Sequence, residues 1–251
     1  MAGNNVFSMT QHGRSEPFDL QVARGIIPNH SSVNIYGFQA SVSTTNIPIW
    51  ENATAYTYPV SATKMHLVST VNTGADLTAT LVINGLDSGY NQISENITLN
   101  GTTVVTTVNS YLRINNMIVI SGSPTGVITL KDLTDTTTYA QIAANFGRTQ
   151  MALYTVPAGF TFYLARVDAY TSANGFTADY VQYRNQQTSS AGVISYTQQA
   201  PFINNYHALR VMPRAFTEKT DLQLQAKTSL NTYAVSIAAE GYLIANTAPS
   251  I

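Results

Sequence analysis

The chain has 251 residues, with 10% charged side chains, a net charge of −1 and no cysteine. A balance so close to zero excludes a general basic field for nucleic acid or an anionic membrane. Without thiols there are no disulfides, no thiolate catalysis and no cysteine zinc sites. Soluble domains usually carry about 25% charged residues; here Thr, Ser, Asn, Gln and Tyr supply the polar surface, the usage of a β-rich protein. Met1-Ala2-Gly3-Asn4-Asn5 has no basic n-region and no apolar h-region, so it does not read as a signal peptide. No run of about 18 apolar residues exists to span a membrane.

Residues 1–28 read as an extended N-terminal arm with Gly13, Pro17, Gly25 and Pro28. Phe18, Leu20 and Val22 are in phase, which predicts a short strand over 18–24. Together with Arg24 and Ile26 they form a candidate docking arm. Such a segment offsets its ordering entropy only by packing on its own body or on a neighbour.

The body, residues 29–145, opens with alternation around Val33 and Ile35. Ile47-Pro48-Ile49-Trp50-Glu51 follows, with the single Trp, and then Tyr56 and Tyr58. These three aromatics allow two readings: a rim that contacts glycan or a partner, or a plug closing one end of a core. From Asp76 to Ile120 the patterning is clearest. Leu77, Ala79, Leu81 and Ile83 point one way, and Ile93, Ile97 and Leu99 mark a second run. Asn100-Gly101 predicts a tight hairpin of type I′. Residues 127–131 form a further strand, and 132–138 a polar loop with Asp132 and Asp135. That loop lacks the Gly-centred twelve-residue frame and the closing Glu of a calcium hand. Ala140 to Asn145 reads as one helical turn or a crossover.

Residues 146–251 carry a second strand series. Its members start near 150, 160, 180, 193, 206, 221 and 232. Leu222, Leu224 and Ala226 are expected inward, with Gln223, Gln225 and Lys227 outward, and Gly241 is a candidate bulge. Short strands at regular spacing without an amphipathic helix predict an all-β chain. The expected architecture is two consecutive antiparallel sandwich or jelly-roll-like domains behind the arm.

No catalytic constellation is legible. His12, His30, His66 and His207 sit in no zinc-binding spacing. There is no Gly-x-Ser-x-Gly elbow and no phosphate-cradling glycine loop. Glu51, Glu95, Asp168 and Asp179 are too scattered to assign as a glycosidase pair, and Asp168 looks like part of an exposed face. The expectation is a non-enzyme without cofactor or metal.

The runs from Gly85 to Thr103 and from Tyr111 to Asn115 resemble segments of virion structural proteins of marine and cyanobacterial tailed phages. So do Met151-Ala152-Leu153-Tyr154-Thr155-Val156-Pro157-Ala158-Gly159, Phe216-Thr217-Glu218-Lys219-Thr220-Asp221 and Val22-Ala23-Arg24-Gly25-Ile26-Ile27-Pro28. The stretch from Ser172 to Ser190 matches nothing in that family. The resemblance implies a virion component, assembled in the host cytoplasm. The favoured form is a capsid decoration (cement) protein, a homotrimer on the major capsid protein. The alternative is a head, neck or tail fibre protein binding host glycan.

Overall fold

The computed structural model of the protein describes residues 10–11, 14–52, 55–173 and 179–247. The first nine residues of the expected arm, His12, Gly13 and residues 53–54, 174–178 and 248–251 lie outside these.

In chain order, β1 (Thr10–Gln11) pairs with β2 (Arg14–Ser15), and α1 (Phe18–Ala23) follows. Next come β3 (His30–Val42) and β4 (Ile47–Pro48). The middle of the chain holds β5 (His66–Ser69), β6 (Thr80–Leu86), β7 (Gln92–Thr98), β8 (Val105–Thr106) and β9 (Arg113–Ser121). It ends with β10 (Ile128–Lys131) and β11 (Thr138–Ile142). The last part holds β12 (Leu153–Thr155), β13 (Phe160–Thr171), β14 (Val181–Thr188) and β15 (Ile194–Phe202). It closes with β16 (Asn205–Phe216), β17 (Asp221–Thr228) and β18 (Tyr233–Ala245). The protein is all-β, and every strand pairing among the described residues is antiparallel.

Two hydrophobic cores hold these strands. The first takes Phe162, Val167, Tyr183, Phe216, Leu224 and Ile237. It draws on a sheet of order β16-β13-β18-β3 and on one of order β12-β17-β14-β15, where β4 also pairs β17. The second takes Met65, Leu67, Leu81, Ile83, Met117 and Leu130 from sheets β11-β10-β5-β8 and β7-β6-β9. Each fully buried side chain of this kind contributes about 1.5–3 kcal/mol.

The chain does not divide near residue 145 as its sequence suggests. β3 pairs β18 from Tyr233↔Val42 to Ile244↔His30, and β4 pairs β17, so residues 30–48 belong with the last part of the chain. The middle strands are inserted between β4 and β12. Exit and re-entry are tied together: Ala152 N–H donates to Ile49 O at 2.8 Å, Ile49 N–H to Leu224 O at 3.0 Å, and Leu224 N–H to Ala152 O at 2.9 Å. Gly37 makes that junction possible, because a Cβ there would lie 2.1 Å from Ile49 O and 2.5 Å from Ala152 N.

Three local expectations change. Residues 18–23 form a helix rather than a strand. Phe18, Gln21 and Val22 lie at i, i+3 and i+4, one helical face, and Gln21 and Val22 are buried. Gly25, at φ +68°, stops the helix as Ile26 N–H reaches back to Gln21 O. Of Ala140 to Asn145, expected as one helical turn or a crossover, the first three residues end β11 and the rest form a turn in which Phe146 N–H donates to Ala143 O. The turn at Asn100-Gly101 exists one residue later: Thr103 N–H donates to Asn100 O, and positive φ falls on Gly101 but not Thr102. It is therefore not a type I′ hairpin, and it hands the chain from β7 to β8, which lie in different sheets.

Other expectations hold. Ala79, Leu81 and Ile83 are buried together, while Leu77 falls in a 3-10 turn and is half exposed. Gly241 faces a bulge on β13, where the register skips Ala165.

Candidate functional site

The aromatic trio is core, not rim. Trp50 is 1% exposed and Tyr56 8%. Their rings meet edge to face at 5.0 Å, and Tyr58 meets Tyr56 at 4.9 Å. Tyr56 donates its hydroxyl to Tyr139 O at 3.0 Å. Burial pushes the Tyr56 and Tyr58 hydroxyls far above the usual phenol range. The plug reading therefore replaces the glycan-contact reading for these residues.

The candidate docking arm packs on its own body. Phe18 meets His30 and Tyr242 edge to face, and the Tyr242 hydroxyl bonds Asp19. Val22 is buried and Ile26 half buried, whereas Leu20 and Arg24 face outward.

Two of the described histidines pair with carboxylates. His207 Nδ1 lies 2.8 Å from Asp168 Oδ1, and Arg166 Nε 2.7 Å from Asp168 Oδ2, so Asp168 is buried in an ion-pair cluster rather than exposed. A carboxylate-held imidazole is half of a hydrolytic triad. Its other nitrogen, however, meets the Asn205 amide at 3.0 Å, not a nucleophile. His66 pairs with Asp135 at 3.0 Å. Asp132 caps its own loop, accepting from Thr136 and Thr137 N–H groups and from two threonine hydroxyls, which holds its carboxyl at about 2 against the push of burial. Among the described residues no group of three His, Asp or Glu side chains is placed to hold a metal.

Two surface features remain, and neither was read from the sequence. The first is apolar exposure on β15 and β16, the adjacent outer strands of the two sheets around the first core. Opposite Ala165 the ladder steps from Leu164↔Arg214 to Arg166↔Leu209, so Arg210 to Pro213 bulge against a single residue. The bulge carries Val211 at 98% and Met212 at 86% exposure. Ile194 and Tyr196 on β15 are more than half exposed. The break in alternation at Val211-Met212-Pro213 was the available signal.

The second feature is a cleft of about 490 Å³ between β3 and the sheet β7-β6-β9. Five consecutive residues, Ser32 to Tyr36, line one wall. Successive side chains of a strand point to opposite faces, so an unbroken run means that the cleft meets the edge of β3. The opposite wall offers Asn84 and Asn116, whose amides bond each other at 2.8 Å, and Arg148. No carboxylate lines it. These polar groups lie far apart in sequence and carry no motif.

No family model and no curated protein matches the chain. Among solved structures it is similar to that of infectious bursal disease virus Gt strain: 13% identity, 93% of this chain and 79% of that chain covered, TM-score 0.24. For the Gx strain the figures are 12%, 87%, 71% and 0.22. Likeness at those scores establishes neither a shared fold nor a shared role.

Proposed function

We propose that the chain is a non-enzymatic structural protein of a virion, and within that class a capsid decoration protein seated on the major capsid protein. The observation that carries this reading is the exposure of Val211 and Met212 on β16 and of Ile194 and Tyr196 on β15. Contiguous exposed apolar surface marks places that other proteins cover, and monomeric proteins keep it small. A subunit that spends its life packed against others has no need to. The resemblance to tailed-phage virion proteins supports the same class. A threefold arrangement of three copies, each a pair of jelly-roll-like units, would cover the edges. Of the two contact surfaces open to the fibre or adhesin alternative, burial removes Trp50 and Tyr56, whereas Tyr170 and Tyr180 in the second tyrosine-rich stretch are exposed.

Counting copies in purified particles by quantitative mass spectrometry tests the reading. Hundreds per particle are expected of a decoration protein. A dozen or fewer would indicate a fibre or neck component, and absence from particles would overturn the virion assignment itself.

A further inference from the structure

We propose that β15 of one copy adds as a strand to β3 of a second copy, within the cleft between β3 and the β7-β6-β9 sheet. This rests on the reading of the protein as an assembling subunit and names the surfaces that would join.

The edges select each other by elimination. β16 is guarded by Arg210, Arg214 and its bulge, and β7 by Glu95, whereas the one proline of β15, Pro201, lies at the end of the strand away from Ile194 and Tyr196. The outer side of β9 is already occupied: Val119 N–H donates to Gly147 O, Thr149 N–H to Met117 O, and the Asn115 amide bonds both backbone groups of Thr155. β8 and β12 are two and three residues long, and β11 is five. That leaves β3 and β15, of thirteen and nine residues, as the long outer strands with no Lys, Arg, Asp or Glu. Long uncharged edges are what strand addition uses.

The cleft suits β15 chemically. On its outer side β3 makes one bridge, Tyr36↔Met151, and pairs with no named strand along Ser32 to Ile35. Backbone ladder bonds are thus available beside Asn34. Val33, Ile35 and Ile93 offer apolar surface for alternate side chains such as Ile194 and Tyr196, which are 56% and 55% exposed in the single chain. Asn84 and Asn116 each keep one unused amide group, suited to a neighbouring backbone as Asn115 suits Thr155. β15 has no charged residue of its own to set against Arg148, the one Lys, Arg, Asp or Glu among the described residues that line the cleft, although Arg184 lies over the Tyr196 ring at 4.1 Å. β3 and β15 are different surfaces of one chain, so the contact is head to tail. It closes into a ring or extends, according to the rotation it imposes.

The absence of cysteine gives a clean test. Strands paired in a sheet bring Cα atoms to about 4.5–5.5 Å, within disulfide reach. Asn34→Cys is mixed in turn with Ile194→Cys, Ser195→Cys and Tyr196→Cys, the three registers that bring the exposed end of β15 opposite Asn34. Each mixture is oxidised, both as purified protein and in assembled particles. At least one mixture should yield cross-linked dimer at roughly ten times the rate of Asn34→Cys mixed with Leu133→Cys, an exposed control on another loop. Tyr196→Lys should reduce the sedimenting species to monomer while leaving the circular dichroism spectrum unchanged. Cross-linking no faster than the control in both settings, or dominant Asn34→Cys homodimers, would overturn the proposal. So would a neutral oligosaccharide bound in the cleft of a monomer that never cross-links. Because copy number is measured separately, high copy number without this cross-link would refute the contact and spare the virion reading.

Discussion

Arg113 and Asp221, 108 residues apart, form a two-pronged pair that joins the two cores. Nε meets Oδ1 at 2.8 Å and Nη2 meets Oδ2 at 2.9 Å, with both side chains about nine-tenths buried. Asp221 also accepts from the Thr155 hydroxyl at 2.6 Å. The guanidinium lies 4.5 Å from the Tyr58 ring centre and donates to Pro59 O and Leu112 O. The middle strands are thus clamped to β17 by a charge pair whose remaining hydrogen-bonding capacity is largely used.

Removing one member should be costly, since it strands the other charge away from water. Arg113→Ala is expected to destabilise the protein by about 3–5 kcal/mol, while replacing both residues with apolar ones of similar volume should cost far less. Urea unfolding of the single and double variants checks this. Equal losses in both would mean that the pair acts through packing alone.

Trp50→Ala should behave as a core deletion. The ring is 1% exposed and lies beside the Trp50↔Met151 bridge where the chain leaves the first core. A loss of about 3–5 kcal/mol is expected. Binding to particles should fall only as far as the folded fraction falls. A fully folded variant that had lost a glycan ligand would restore the aromatic-rim reading.

Glu51 gives the protein a pH dependence. Burial pushes its carboxyl up to about 7 from 4.5, against bonds from the Ala143 N–H and the Gln150 amide. The folded state therefore holds this proton more tightly than the unfolded state. The associated stability is fully present below the ordinary carboxylate value and is lost as pH rises through the folded value. The urea midpoint should fall between about pH 5 and about pH 8, and Glu51→Gln should flatten that slope. An unchanged slope in the variant would assign it to another group.

β17 shows how far local pattern carried. Leu222, Leu224 and Ala226 are buried as their alternation says, but Gln223 and Gln225 are buried too. The face expected to meet solvent is covered, and Gln225 bonds Arg184, Gln186 and Gln223. An alternating strand records which side chains avoid water, not what a remote segment later lays over the polar ones. At residues 18–24 the same reading chose period two, although Phe18, Gln21 and Val22 fit the helical face equally well.

By itself the sequence determined the β class, most strand positions, the inward residues of β6 and β17 and the absence of thiol chemistry. Each follows from side-chain period or from composition, and both act over a few residues. Only the tertiary structure decided that β3 closes against β18, that the middle strands are an insertion, that Trp50 is interior and that β15 and β16 expose apolar side chains. Those outcomes depend on pairings between strands as much as two hundred residues apart. A ladder of backbone hydrogen bonds is nearly the same for every partner strand. The choice among partners falls to the packing of whole faces, which no local stretch encodes.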